Sequence, residues 1–249
     1  MRRVFLLFLM SIMLAACSGG AAPATPPVAI DPLALLIDAG DKMRGAETFK
    51  ITVDQTGPDY FFSTDYALVA YRRATGQYVA PGIMQASVRV LALGIPLAID
   101  VYANGADQWY RALWTGNEWL NEAFQEGFNP STLIAEETGV QAALAALNEV
   151  QYIGTTQLES GVSVKQFNAT ADGIDVAALL GGLIVPVGQV EVEVYLADAD
   201  NFPARFVVRE FNSPNAATPA PNAIVEPITW LMDIFDVNAP SEITPPEGA

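Results

Sequence analysis

Apolar residues recur along this chain with two periods, three to four and two, and the order in which the periods appear predicts its architecture. Asp31-Pro32 is a helix start, an N-cap carboxylate followed by proline at the first helical position. Leu33, Leu36, Ile37, Gly40 and Met43 then share one face, and the helix is expected to stop near Gly45. From Thr48 the period changes. Phe49, Ile51 and Val53 alternate with Lys50, Thr52 and Asp54, the pattern of a half-buried strand. From Tyr66 to Thr115 strand follows strand: Ala86, Val88 and Val90 form one inward row, and Ile95, Leu97, Ile99 and Val101 the next. Asn104-Gly105 is expected to supply the positive φ angles of a tight hairpin turn, and Gly116-Asn117 another turn before Trp119.

The middle of the chain reads as helical. Asn129-Pro130 opens a short helix through Leu133 and Ile134, and Thr138-Gly139-Val140-Gln141 reads as a capping box for a second helix with Val140, Ala143, Leu144 and Leu147 on one face. Strands are predicted near 151–158 and 162–170, then an Ala/Leu helix over 172–180 that Gly181-Gly182 ends. Residues 189–196 carry the clearest alternation, with Val190, Val192, Val194 and Leu196 on the dry side. Strands at 204–211 and 228–237 flank a Pro/Ala/Asn-rich loop, 213–227. No regular βαβ alternation occurs. The predicted class is therefore α+β, one long curved antiparallel sheet with helices gathered on its dry face.

The N-terminus adds a location. Arg2 and Arg3 precede a run from Val4 to Leu14 that is apolar apart from Ser11, the order of a secretory leader, and the run is too short for the ~20 residues that span a bilayer. Leu14-Ala15-Ala16-Cys17 resembles the lipobox of bacterial lipoproteins. That resemblance implies cleavage after residue 16 and acylation of Cys17. The other reading is an ordinary leader cut nearby, with Cys17 there by chance. The expected organisation is a signal peptide over 1–16, a tether over 17–30, a single domain over 31–240 and a Pro-rich tail over 241–249. Cys17 is the only cysteine, so no disulfide forms within the chain and no cysteine zinc cluster exists.

Charge narrows the partners. Twelve basic against 28 acidic residues give −16, which repels phosphate backbones and excludes nucleic acid as a partner. The same charge gives no pull toward anionic lipid, so attachment to a membrane rests on the acyl chains of Cys17. The chain has no histidine, which removes Ser-His-Asp triads and His-bearing metal sites. The acidic pairs Glu136-Glu137 and Asp198/Asp200 read as a solvated helix face and a turn. Trp109, Trp114, Trp119 and Trp230 read either as packing or as the lining of a groove. No catalytic residue, metal or cofactor is expected.

Several of these stretches resemble the mycobacterial LppX/LprG type of lipoprotein, whose fold is similar to the LolA/LolB carriers. They are Asp31-Pro32-Leu33-Ala34-Leu35-Leu36, the Asn-Gly turn with Tyr110-Arg111-Ala112-Leu113 and Gly116-Asn117-Glu118-Trp119, Asn129-Pro130-Ser131-Thr132-Leu133, the 190–196 strand with its Asp-rich turn, and Ile243-Thr244-Pro245-Pro246. The stretches 60–80 and 213–227 are long for that family. The resemblance implies a LolA-like half-barrel sheet over helices, enclosing a hydrophobic pocket for the acyl chains of a lipid or lipoglycan. It implies a carrier rather than an enzyme, on the outer face of the cytoplasmic membrane, with an envelope transporter as a possible partner. Val88, Val90, Leu97, Ile99, Val101, Leu133, Leu144, Leu147, Val192 and Val194 are the expected pocket lining. The alternative is that they are ordinary core, in which case the protein is an anchored scaffold with a filled interior that docks other envelope proteins.

Overall fold

The computed structural model describes residues 31–63, 68–218 and 226–249. The leader, Cys17 and the tether lie outside those residues, as do 64–67 and most of the second half of the 213–227 loop. Residues 31–249 make one compact unit.

The first helix, α1 (Pro32–Arg44), begins as the sequence predicts: an Asp31 carboxylate oxygen accepts from the N–H groups of Leu33 and Ala34 at 3.1 and 3.2 Å, and Gly45 caps the other end. Leu36, Ala39, Gly40 and Met43 form its buried stripe. The strands are β1 (Thr48–Thr56), β2 (Phe61–Ser63), β3 (Leu68–Val79), β4 (Ile83–Ala92), β5 (Ile95–Asn104), β6 (Asp107–Ala112), β7 (Asn148–Gln157), β8 (Ser163–Asp172), β9 (Gln189–Ala197), β10 (Pro203–Glu210) and β11 (Ile228–Phe235). A second helix, α2 (Val140–Ala145), precedes β7.

All eleven strands belong to one antiparallel sheet in the order β6-β5-β4-β3-β1-β11-β10-β9-β8-β7, with β2 beside β3. Two meanders are thus joined where the first strand meets the last, Lys50–Thr56 against Phe235–Thr229. The edges β6 and β7 do not pair with each other, so the sheet is an open half-barrel rather than a closed one. Along β3, Thr48–Asp54 of β1 cover Val79–Arg73, and β2 takes over opposite Ala70–Leu68. A bulge between Tyr71 and Arg73 lies where one partner gives way to the other, and it bends β3 there.

The helices sit on one face. Leu36 and Met43 of α1, Val140 and Leu144 of α2, and Val176, Leu179 and Leu180 of a 3-10 segment (Gly173–Leu180) share a core with Phe167, Val192, Val194, Phe206, Val208 and Trp230 of the sheet. Close approach sets the packing: a Cβ on Gly40 would lie 2.6 Å from Gln141 Cα, so only glycine allows α1 and α2 to touch there.

Three local expectations differ from the structure. The N-cap of α2 is Gly139, one residue beyond Thr138, and makes no side-chain cap; a Cβ at 139 would stand 2.5 Å from the carbonyl oxygens of both Leu133 and Ala135. The 172–180 stretch winds as a 3-10 segment, Gly173–Leu180, not an α-helix; Asp172 caps it and Gly173 N–H, free at a helix start, bonds Gly188 O at 2.7 Å. The β5–β6 turn places Gly105 and Ala106 between paired Asn104 and Asp107, so Gly105 (φ 58°) carries the positive angle and Asn104 remains in the strand. Glu242 and Thr244 N–H groups donate to Gln77 and Gln85 side chains at 3.2 and 3.4 Å, and Pro246 is buried.

Candidate functional site

The two halves of the inner face are covered differently. Beneath α1, α2 and the 3-10 segment the core is closed. The β3–β6 half instead holds a smaller apolar cluster of Val69, Ala86, Val90, Ile99, Val101 and Ala112. No helix lies over it; residues 122–125 and the stretch after Leu180 form its roof. Between roof and sheet lies a cavity of about 480 Å³, within the ~300–1,000 Å³ of pockets that enclose a small ligand.

The sequence makes this space by placing short side chains where a filled core needs long ones. Ala74 on β3 and Ala86 on β4 face the cavity, flanked by Val53, Val88, Ile99 and Val101. Leu180, Leu183 and Ile184 close one side, while Phe62, Tyr110 and Trp114 close another. Glu122 and Ala123 are exposed, so the cavity meets solvent at that rim.

Two tyrosine hydroxyls on the wall are engaged by the protein itself. The Tyr71 hydroxyl donates to Val53 O at 2.8 Å, and burial holds its phenol far above the usual range. Tyr60 OH accepts from Asn215 Nδ2 at 3.0 Å; burial raises this phenol too, against the lowering effect of that bond. The turn before Tyr60 is fixed by a two-pronged pair, Arg72 Nη1 and Nη2 to Asp59 at 2.8 and 3.1 Å, which keeps the Asp59 carboxyl below the usual range. The described start of the 213–227 loop lies at this rim, with Asn215 O accepting from Phe61 N–H at 2.8 Å.

One side chain pins the roof. Gln108 is 6% exposed; its Oε1 accepts from the N–H groups of Phe124 and Gln125 (both 3.1 Å), and its Nε2 donates to Gln125 O (2.8 Å) and Phe128 O (3.0 Å). All of its hydrogen-bonding capacity on that side serves a loop without regular structure.

Of the residues singled out as lining, Val88, Ile99 and Val101 stand on the cavity wall. Val90 is buried in the smaller cluster and Leu97 packs against it, both beyond the cavity toward the β4–β5 turn. Leu133, Leu144, Leu147, Val192 and Val194 lie in the large core, off the wall. Tyr60, Phe62, Tyr71, Gln108 and the roof residues escaped the sequence reading. Gln108 alone left a trace, an amide in line with Tyr110 and Ala112 on the inner face of β6. Among the tryptophans only Trp114 reaches the cavity. Trp230 is fully buried between the Tyr60 and Tyr71 rings, Trp109 packs edge-on to Tyr102, and Trp119 lies under the Arg111 guanidinium at 4.8 Å. Glu136 and Asp198 each take part in an ion pair, with Arg44 and Lys165. Among the described residues no cluster of three acidic or thiol groups is placed to hold a metal.

No protein-family model matches the sequence, and no curated protein is detectably similar to it. Solved structures are. LprF from Mycobacterium bovis superposes with a TM-score of 0.58 at 12% identity, over 86% of this chain and 96% of that one. The Mycobacterium tuberculosis lipoprotein LppX does so with a TM-score of 0.55 at 16% identity, over 86% and 100%. At such identities the likeness is one of backbone architecture. With its open antiparallel sheet, its helices on one face and the cavity beside them, this chain has the fold of the LppX and LprF lipoproteins.

Proposed function

We propose that the protein takes up the acyl chains of a lipid or lipoglycan in the β3–β6 cavity and carries or presents that molecule in the cell envelope, held on the outer face of the cytoplasmic membrane by acylated Cys17. The observation that carries this reading is the cavity: about 480 Å³ of mainly apolar-walled space in which the Tyr71 and Tyr60 hydroxyls take part in internal bonds. The lining is mainly apolar, with the Glu122 carboxylate at the rim, and such a wall favours a hydrocarbon over a wholly polar substrate. A chain of some fifteen methylenes gains roughly 12 kcal/mol gross on leaving water, at about 0.8 kcal/mol each, which drives capture with no catalytic step. Release then requires a membrane or an envelope transporter that offers the chain an equal environment. The scaffold alternative presupposes a filled interior, and the cavity of about 480 Å³ supports the carrier reading over it.

The test is native mass spectrometry of the purified protein with extraction of its organic-soluble content. A bound species carrying at least one long acyl chain, lost on extraction and regained from vesicles, supports the reading. Protein that emerges empty and stays empty after incubation with phospholipid vesicles overturns it.

A further inference from the structure

The β4–β5 hairpin carries three features that ordinary packing does not explain. Its turn is Leu93-Gly94, both residues with positive φ (52° and 80°). Such a turn favours Asn or Asp before Gly, because a branched apolar residue is strained in the left-handed region. Seven described non-glycine residues have positive φ, and Leu93 is the only apolar one; the rest are Asn, Asp or Glu. Leu93 is also 91% exposed. The position is therefore unfavourable for leucine both in backbone conformation and in solvation, which points from strain to use.

The second feature is that the apolar surface continues on both faces. Toward the cavity the cross-strand pairs run Val88/Ile99, Val90/Leu97, Ala92/Ile95, an unbroken apolar track from the wall to the tip. On the opposite face Leu91 pairs with Pro96 and Arg89 with Ala98. Ile95, Leu68 and Leu113, all at this end of the sheet, are at least 59% exposed. A protein partner would cover one face; a tip apolar on both faces suits an apolar medium that surrounds it.

The third feature is charge. In a chain of net −16, residues 88–99 hold no carboxylate and one cation, Arg89. Of the ten basic residues in the described part, the other nine are in ion pairs with carboxylates, and Arg89 has none among the described residues. It stands opposite Arg73 on β3, behind the tip, where the headgroup phosphates of an inserted hairpin would lie.

The geometry points to the β4–β5 hairpin as a lipid-surface probe: Leu93 and Ile95 enter the acyl region of a membrane and Arg89 meets the phosphates. This rests on the lipid-binding reading for its purpose but not for the insertion itself, and the two are separable by experiment. Residues 31–249 contain no cysteine, so Leu93→Cys accepts a single nitrobenzoxadiazole label, with Ser160→Cys on the β7–β8 turn as the reference site. With phosphatidylcholine vesicles the label at 93 is expected to shift to the blue and brighten several-fold, and the label at 160 to stay unchanged. Leu93→Asn, which suits the turn better than leucine, is expected to melt no lower than the parent, to bind vesicles at least ten-fold more weakly, and to load soluble monomeric laurate to the same extent. Silence of the label at 93 while the protein still draws lipid from vesicles overturns the proposal. So does a blue shift that appears without vesicles and follows a monomer–dimer equilibrium, since a second copy would then cover the tip. A vesicle response in a protein that loads no lipid from any source leaves the insertion standing and removes the carrier reading instead.

Discussion

Val88 and Ile99 face one another across β4 and β5, and both side chains form the wall of the cavity. Neither is opposed by a helix. Filling the space from this wall tests whether it is the binding site: Val88→Trp is expected to lower bound lipid at least ten-fold in a native mass spectrum. The same variant should melt within a few degrees of the parent, because the indole enters open volume and avoids the ~1–3 kcal/mol that overpacking a closed core costs.

Gln108 ties the roof down through four hydrogen bonds. Gln108→Leu keeps the size of the side chain but leaves the Phe124 and Gln125 N–H groups and Phe128 O without their partner, while Gln125 O keeps the Phe128 N–H at 3.3 Å. Stability is expected to fall by about 2–4 kcal/mol, at roughly 1–3 for each buried group left unpaired and part of that recovered by water. Hydrogen exchange should accelerate at the amides of Phe124 and Gln125, and lipid should leave faster while Val88 and Ile99 remain in place. Unchanged exchange at those amides would contradict the clamp.

The close contact of α1 with α2 makes an opposite prediction to helix propensity. Alanine in a helix interior is favoured over glycine by about 1 kcal/mol, yet a Cβ at residue 40 meets Gln141 Cα at 2.6 Å. Gly40→Ala is expected to lose about 1–3 kcal/mol net, as other overpacked contacts do, read as a lower urea midpoint. The cavity lies away from this contact, so lipid content should not change.

How far these features were legible differs by element. In β9, Val190, Val192, Val194 and Leu196 are buried and Gln189 and Glu191 exposed, so period two alone gave the strand and its dry face. Asp31-Pro32 likewise fixed the start of α1. The cavity could not be read in that way. Val88 and Val192 sit in similar alternating rows, yet Val192 is enclosed in the large core while Val88, at the margin of that core and of the smaller cluster, faces the cavity. The roof comes from 122–125 and 180–184, segments distant in sequence; Gln108 holds the first to β6, and Gln125 Nε2 links it to the second through Gly182 O at 3.5 Å. A close approach of this kind, of Gly139 to the carbonyl oxygens of Leu133 and Ala135, also moved the start of α2 to Gly139.

High pH should loosen the sheet. Burial pushes the Tyr78 phenol up to about 12 from an ordinary 10.0, and its hydroxyl donates to Pro81 O at 3.0 Å. Tyr71 and Tyr195 are raised in the same direction, burial being the main cause in each. A folded-state value above the unfolded one means that the contribution is complete below pH 10 and is lost as the pH climbs from 10 toward 12. Urea midpoints measured at pH 9 and pH 11 should fall between the two, and Tyr78→Phe should reduce that fall.

The central claim is that hydrocarbon occupies the space between the β3–β6 wall and the 122–125 roof. Photocrosslinking with a diazirine-bearing fatty acid, followed by peptide mapping, reports the position of the chain directly. Adducts are predicted on wall and roof residues such as Val88, Ile99, Trp114 and Leu183, and they should be competed away by unlabelled fatty acid. Adducts confined to the outer face of the sheet, or none that compete, would contradict the account.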